Sequence, residues 1–465
     1  MHTLPIKLSS ISDELRDYLV WQCEKANSLY NSILFVVRKQ YFSEAKRSAY
    51  FKGDDYRCGL YAQKCRKYDY RQIQSDFKEN ENFRAIGANA AKNLCKEVDS
   101  SIKSYNSLVS LFYQNGGYQK QSNGAPKLPS YRKSGGLHSL TYDAVNLSIK
   151  DGCIKLPNCK SIKQFIDFDL TIDVPEFVLP EKIKQIRIRP SRGELWCDFI
   201  IEDGKEEITN NLNLDYSHAL SIDHGVKFWL SAVTTKKRSF IVEAPQLKTA
   251  IWKYQQKVKQ YKQNKSNFYW DEYLDKLTAK YNLQIRDAVN KAARFIVNHC
   301  LNNGIGNLVI GWNKGNKQNI NLGRKNNYEI VNMPTARLIK RLEELSKEYG
   351  IKFIVTTEEY TSKASFVDND ELHQYGAKPA EWKPSGKRIS RDEYRTKNGN
   401  VIHADLNAAG NILRKVFDQV FPHRFQGKIR LEAIKRGALT RPKRYDVFKN
   451  LKKKYRKKTL RSAAD

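Results

Sequence analysis

The chain has 465 residues, with 82 Lys and Arg against 50 Asp and Glu, a formal net charge of +32 at pH 7. Hydrophobic residues make up 40%, including 20 Phe, 26 Tyr and 7 Trp, which excludes a wholly disordered chain, and the length predicts two or three domains. No apolar run approaches the roughly 18 residues of a membrane span, residues 1–7 lack a signal-peptide apolar core, and eight scattered Cys fit a reducing interior better than a disulfide scaffold.

An excess of this size costs self-repulsion and calls for a polyanionic partner. Nucleic acid is the leading class, because each Lys or Arg that neutralises a phosphate releases a condensed counterion. An anionic membrane surface is the alternative, but no basic amphipathic anchor with an apolar face stands out. Tyrosines among lysines point the same way, since rings stack on unpaired bases, although tyrosines also fill cores.

Residues 1–9 read as a short strand. From Ser12, a helix N-cap followed by Asp13 and Glu14, apolar residues recur every three or four positions: Leu15, Leu19, Cys23, Ala26, Tyr30, Ile33, Leu34, Val37 and Tyr41. Residues 45–80 give no clear boundary. A second helix carries Ala91, Leu94, Val98, Ile102, Tyr105 and Val109 on one face, and both stripes are expected to be packing surfaces. Residues 114–139 are a polar loop ending in the basic run Tyr131-Arg132-Lys133.

The period then becomes two. Val145, Leu147 and Ile149 alternate, Asp151-Gly152 makes a hairpin turn, and Ile154 and Leu156 resume. Ile186-Arg187-Ile188-Arg189 alternates apolar with basic and has an antiparallel partner in Leu195–Ile201, so a small β-barrel or sheet with one charged face is expected. Arg187 and Arg189 belong either to a phosphate-binding surface or to a merely soluble one.

Residues 205–217 read as a linker. Strands follow at Ala219–Val226, Trp229–Val233 and Phe240–Val242, two long basic helices over 246–302, and a buried strand at Asn307–Trp312. A helix runs from Pro334 to Tyr349 and is closed by Gly350; a strand follows at Lys352–Glu358, then a polar, basic stretch, and a last helix from His403. Three antiparallel strands and then helix–strand–helix–strand–helix describe an RNase H-like α/β domain. The tail 421–465 carries 16 Lys or Arg against 3 Asp or Glu, a net +13. Its densest run, containing Lys452, Lys453 and Lys454, reads as a nucleic-acid contact rather than only a solvated end.

Phosphodiester hydrolysis by metal-activated water needs carboxylates from separate segments converging on hard cations. Three stand at element ends: Asp223 at the first strand's end, Glu358 before the basic insert, and Asp405 opening the last helix. The inferred strand order lets all three reach one sheet edge. Singly, each has a bland reading, as a turn former or a helix cap.

Ser221-Ile222-Asp223-His224-Gly225-Val226 resembles the first RuvC motif of the TnpB family, transposon-encoded relatives of compact type V CRISPR effectors. The loop Gly311–Gln318, with Lys314 and Lys317, and the segment Glu358-Glu359-Tyr360-Thr361-Ser362-Lys363 are similar to those of one TnpB subgroup. Ala404-Asp405-Leu406-Asn407-Ala408-Ala409-Gly410-Asn411-Ile412 resembles the third RuvC motif. The resemblance runs in order over residues 1–416 and includes Pro129-Ser130-Tyr131-Arg132.

It implies an α/β multidomain protein: a wedge β domain at 1–9 and 114–210, a helical recognition domain at 10–113, and a RuvC nuclease domain at 215–361 and 401–420. Residues 362–400 become a degenerate target-nucleic-acid-binding insert, and 421–465 a basic tail. The implied activity is guide-RNA-directed cleavage of double-stranded DNA beside a short flanking motif, with a guide of transposon or CRISPR origin, in the cytoplasm or nucleoid of a prokaryote. Asp223, Glu358 and Asp405 carry over as ligands of two Mg²⁺ ions, with Asp223 bridging. Asn407 and Asn411 are accessory candidates for positioning phosphate, and Lys363 and the other basic loop residues named above are candidate nucleic-acid contacts.

Usual relatives take the middle glutamate from the strand matching Leu308–Trp312, which has no carboxylate here, so Glu358 serves. Glu359 is its rival, but neighbouring side chains on a strand alternate. His224 stands where an aliphatic residue is usual and is expected to be structural or neutral. No Cys follows Cys300, and His373 and His403 do not make up a four-ligand site, so no zinc is expected in the insert. Cys58, Cys65, Cys153 and Cys159 are expected to pack. Two other readings remain: an RNA-guided DNA binder that does not cut, and a guide-independent nuclease or transposase on the same fold.

Overall fold

The computed structural model describes residues 2–52, 64–66, 68–116, 125–157, 166–202, 213–225, 227–236, 238–266, 268–313, 331–374, 376–420, 437–446 and 448–449. Two compact units divide the chain, Met1–Asp203 and Gly204–Asp465.

In the first unit, β1 (His2–Lys7) leads into α1 (Asp13–Lys52). Ser12 starts the helix by accepting the Leu15 amide hydrogen (3.2 Å), as its position predicts. The stripe from Leu15 to Val37 is buried. The stretch the periodicity leaves unplaced holds the end of α1 and a short helix α2 (Tyr70–Phe77), capped by Asp69, which accepts from the Arg71 and Gln72 amides. Asn80 caps α3 (Glu81–Ile86), and Gly87, at φ +77°, turns the chain into α4 (Ala88–Gln114), whose Ala91-to-Val109 stripe is buried.

Among the described residues, six further strands follow in this unit: β2 (Leu140–Asp143), β3 (Ser148–Lys150), β4 (Cys153–Lys155), β5 (Thr171–Asp173), β6 (Ile183–Ser191) and β7 (Glu194–Ile201). With β1 they form, among the described residues, a four-stranded sheet, β1-β7-β6-β2, and a three-stranded sheet, β3-β4-β5. Asp151 and Gly152 take φ +50° and +73°, and Arg192 and Gly193 take +56° and +74°, so both hairpins turn through two left-handed residues that match strand twist. Ile183, Ile186 and Ile188 point into the core while Arg187 points out.

The second unit opens with β8 (Asp215–His224), β9 (Leu230–Thr234) and β10 (Ser239–Glu243). Helices α5 (Pro245–Tyr261) and α6 (Glu272–Asn302), strand β11 (Ile305–Gly311), helix α7 (Thr335–Glu348) and strand β12 (Lys352–Thr356) follow. Three short strands, β13 (Lys387–Arg388), β14 (Glu393–Arg395) and β15 (Val401–His403), make their own sheet, and α8 (Ala404–Val420) precedes β16 (Lys443–Asp446).

The main sheet has the order β12-β11-β8-β9-β10-β16. β12 and β11 run parallel to β8, and β9 is antiparallel between β8 and β10. Every residue of β11 is buried, because helices cover both faces of the sheet. Leu308 and Ile310 pack with α6 and α7, whereas Val309 packs with Ile412, Leu413 and Val416 of α8. The alternation of a strand therefore divides one apolar run between two layers. β16 departs from the expected basic tail: Lys443–Asp446 pairs in parallel with Phe240–Glu243 and closes the sheet's far edge.

Candidate active site

Three acidic residues stand at the end of the sheet where β8, β11 and β12 finish. Asp223 is the penultimate residue of β8. After it the chain turns sharply at Gly225, whose amide donates to the Trp229 carbonyl (3.1 Å). A Cβ there would lie 3.9 Å from Asp405 Oδ2 but come within 2.7 Å of the Phe228 carbonyl oxygen, so glycine lets the chain fold back this tightly on Phe228.

Glu358 lies two residues beyond the end of β12, so the strand is shorter than its apolar run suggests. Its amide donates to Asn313 Oδ1 (3.0 Å), and its carbonyl accepts from Thr361 Oγ1 (2.8 Å). The side chain passes over Gly311: a Cβ on Gly311 would sit 2.8 Å from Glu358 Cγ and 2.5 Å from Ile412 Cδ1. The missing side chain at the end of β11 thus makes the room that Glu358 fills. Glu359 points elsewhere, to Lys415 Nζ (3.4 Å), which also donates to Thr357 Oγ1 (3.1 Å).

Asp405 is in the first turn of α8, where a carboxylate is favoured by the helix dipole. Its amide donates to His403 Nδ1 (3.3 Å), and its Oδ1 accepts from the Arg388 guanidinium (3.3 Å). Arg388 is oriented by the carbonyls of Ser390 and Arg391. His224 Nε2 stands 3.3 Å from Glu358 Oε1, both side chains being about one-fifth exposed.

The charges of the three carboxylates are felt at one point. Burial pushes Asp223 well above the ordinary carboxylate range, and the charges of Glu358 and Asp405 push it further, with Arg388 opposing. Burial lifts Glu358 to about 7 against the pull of Lys415. Asp405 is raised by burial, with His403 and Arg388 opposing. A divalent cation would relieve this repulsion, and an all-oxygen, all-carboxylate donor set suits a hard ion such as Mg²⁺. Among the described residues, no three His, Cys, Asp or Glu side chains already stand in ligating geometry around one point.

The other expected site residues fall into three groups. Asn407 and Asn411 do not face a substrate. Both are fully buried: Asn407 accepts from the Phe366 amide (2.8 Å) and donates to the Ala364 carbonyl (2.8 Å), and Asn411 donates to the Thr361 and Ala364 carbonyls (2.8 and 2.7 Å). A buried amide spends its hydrogen bonds where it is, and these two pin the loop after Glu358 onto α8. Arg189 is likewise spent, in a two-pronged pair with Asp198 (2.7 and 2.9 Å). Tyr131, Arg132, Lys133, Arg187 and Lys363 are exposed, with Arg132 stacked on the Tyr30 ring (4.6 Å) and paired to Glu97 (3.1 Å). Lys314, Lys317, Lys452, Lys453 and Lys454 lie outside the described residues, as do Cys58 and Cys159.

No motif in the sequence marks Arg388 or Lys415. His224 stands out there by its unusual type, but nothing local shows that it faces Glu358.

Two family models match in chain order: a probable transposase, OrfB of the IS605 type, over residues 212–317, and a Cas12f1-like TNB domain over residues 336–412. No curated protein is significantly similar to the chain. Among solved structures, a Cas12f1–sgRNA–target DNA complex aligns at 15% identity, covering 88% of this chain and 98% of that one, with a TM-score of 0.32. A CRISPR-Cas12f ternary complex aligns at 15% identity over 86% and 81%, with a TM-score of 0.32. The mini-RNA-guided endonuclease CRISPR-Cas phi3 aligns at 12% identity over 53% of each chain, with a TM-score of 0.30. Likeness at this level adds nothing to the side-chain geometry.

Proposed function

We propose that the chain is a TnpB-like RNA-guided DNA endonuclease with a RuvC-type site in its second unit, of the subgroup whose middle glutamate has moved to Glu358; the family-model matches over residues 212–317 and 336–412 support this reading. What supports this reading is that buried Asp223, at the end of β8, feels the charges of both Glu358 and Asp405, which come from two distant segments of the chain. The strand order of the second unit, with three strands in a meander and two more added in parallel beside the first, supports an RNase H-like core.

Asp223, Glu358 and Asp405 would hold two Mg²⁺, which would supply an activated water and compensate charge on the scissile phosphate. The chain's own groups prepare the site. His224 Nε2 stands 3.3 Å from the Glu358 carboxylate, Gly311 leaves the space it occupies, and Asn313 fixes its backbone. Arg388 lies beside Asp405 with its side chain two-fifths exposed, a charge-assisted donor available to a phosphate oxygen. The excess positive charge holds a structured RNA through backbone and shape. Guide pairing then reads the target strand, while the protein reads a short flanking duplex motif.

The test uses the purified protein with its co-purifying RNA sequenced, against a plasmid library carrying the matching target and randomised flanks. Asp223→Ala should lower cleavage by at least about a thousandfold while guided DNA binding remains. Undiminished cutting by that variant would refute the site. A second reading, guided binding without cutting, draws on His224 and Arg388 standing against two of the three carboxylates. It would be upheld if the wild type binds the matched target but leaves it intact in both Mg²⁺ and Mn²⁺. Absence of any co-purifying RNA would favour a guide-independent nuclease or transposase.

A further inference from the structure

The hairpin of α5 and α6 carries a feature that the acidic cluster does not use. Six Lys and no Asp or Glu occur between Pro245 and Lys265. Only Leu247 and Ile251 of α5 are buried, so beyond its first two turns this helix is not a core element. Its contact with α6 is made by rings: Tyr254 and Tyr281 stack at 4.0 Å with an interplanar angle of 8°, and the Tyr254 hydroxyl bonds Thr278 Oγ1 (3.0 Å).

These rings lie in a groove of about 620 Å³ lined by Lys253, Lys257, Lys280 and Lys449, with no carboxylate in its lining. At the hairpin's far end Phe268 is 97% exposed, and Trp270 and Tyr273 are about half exposed. Lys265 Nζ sits 3.5 Å from the centre of the Tyr261 ring, and Lys262 Nζ 5.3 Å from that of Trp270.

We propose that this groove and the aromatic tip beside it bind a single-stranded stretch of RNA, the lysines on its phosphates and the exposed rings on its unpaired bases. The proposal rests on the reading that the chain carries a guide RNA, and adds where an unpaired part of that RNA lies. Protein–protein interfaces are depleted in Lys, so a groove lined by four lysines and no carboxylate favours a phosphate backbone, while at the tip Asp271 and Asp275 hold the Tyr261, Tyr269 and Trp270 rings in place. Exposed rings favour unpaired bases, because a base inside a duplex offers no free face for stacking. Gln246, Thr249 and Gln284, which also line the groove, offer amide and hydroxyl groups to a ribose 2′-hydroxyl, which DNA lacks.

The experiment measures binding of a fluorescein-labelled, unstructured RNA of about 20 nucleotides to the full chain by anisotropy across a salt series, with DNA of the same sequence in parallel. The triple variant Lys253→Gln/Lys257→Gln/Lys280→Gln should weaken RNA binding by about tenfold and flatten the log–log salt slope by about 2, since each phosphate left unneutralised takes about 0.7 from that slope. Trp270→Ala should weaken binding at least about fivefold and leave the slope unchanged, because stacking releases no counterions. Circular dichroism melts check that each variant is folded, and crosslinking of 4-thiouridine RNA to residues 245–284 supplies a readout that needs no substitution. If the wild type binds RNA and both variants match it in affinity and slope, the groove assignment fails while the guided reading stands. If the wild type binds no RNA, the guided reading fails as well. Equal affinity for the matching DNA overturns the commitment to RNA.

Discussion

At Glu358 and Glu359 two adjacent carboxylates have opposite surroundings. Glu358 reaches over Gly311 into the field of Asp223, whereas Glu359 is paired with Lys415. Glu358→Gln should therefore reduce cleavage by at least about a hundredfold. Glu359→Gln should cost less than about tenfold, since a partly exposed ion pair contributes little. Plasmid cleavage rates at saturating Mg²⁺ decide between them, and equal losses would remove the distinction.

His299 is a second residue whose environment sets a measurable property. It packs on Phe240 (ring centres 4.6 Å apart), and burial, with Arg238 adding to it, depresses its imidazole to about 4. Above about pH 6.5 the ring is neutral in both folded and unfolded chains and contributes no pH dependence. Between about 6.5 and 4 the unfolded chain takes up a proton that the folded chain refuses, so stability falls as the solution is acidified. The loss is roughly 2–3 kcal/mol across that window. His299→Phe should flatten this part of the profile in denaturant melts, and an unchanged profile would contradict the account.

Among the elements, the insert 362–400 shows how a short segment folds without a cysteine framework. Asp370 Oδ2 accepts the Ser365 and Ser385 amides (2.7 and 3.0 Å), and Asp368 Oδ2 accepts the Ser365 hydroxyl and the Lys397 amide (2.6 and 2.8 Å). Two carboxylates thereby tie together three stretches of chain. Below them Phe366 and Tyr394 are buried with Leu406 and Ala409, and the Phe366 ring lies where a Cβ on Gly410 would intrude, at 2.6 Å. Asp370→Ala strands two amide donors and should destabilise the second unit by about 1–3 kcal/mol. A zinc-selective chelator should leave the wild-type melting temperature where it is; a fall on chelation would show that metal holds the insert.

For the whole molecule, a formal charge of +32 makes self-repulsion a standing cost. Any ligand that binds only the folded chain raises its melting temperature by mass action, and a polyanion does so while also neutralising that charge. Bound RNA should raise the melting temperature by several degrees at about 0.1 M salt, with the gain vanishing near 1 M, where charges are screened within roughly 3 Å. A shift that survives high salt would mean that contacts other than phosphate pairing dominate.

The two striped helices α1 and α4, most of the second unit's main-sheet strands and covering helices, the switch from period 3.6 to period 2, the hairpin at Asp151-Gly152 and the places of the three acidic residues near element ends were legible in the sequence. Each is written in the chain within a few residues: a stripe repeats locally, a turn needs its own glycine, and a carboxylate ends its own element. Tertiary structure alone decided that Gly311 makes room for Glu358, that Arg388 and His224 stand beside two of the carboxylates, and that Asn407 and Asn411 fasten a loop. It also decided that four residues of the basic tail become the sheet's sixth strand. These depend on which side chain fills a gap left by another far away in sequence, and close packing settles that only when all the segments are in place.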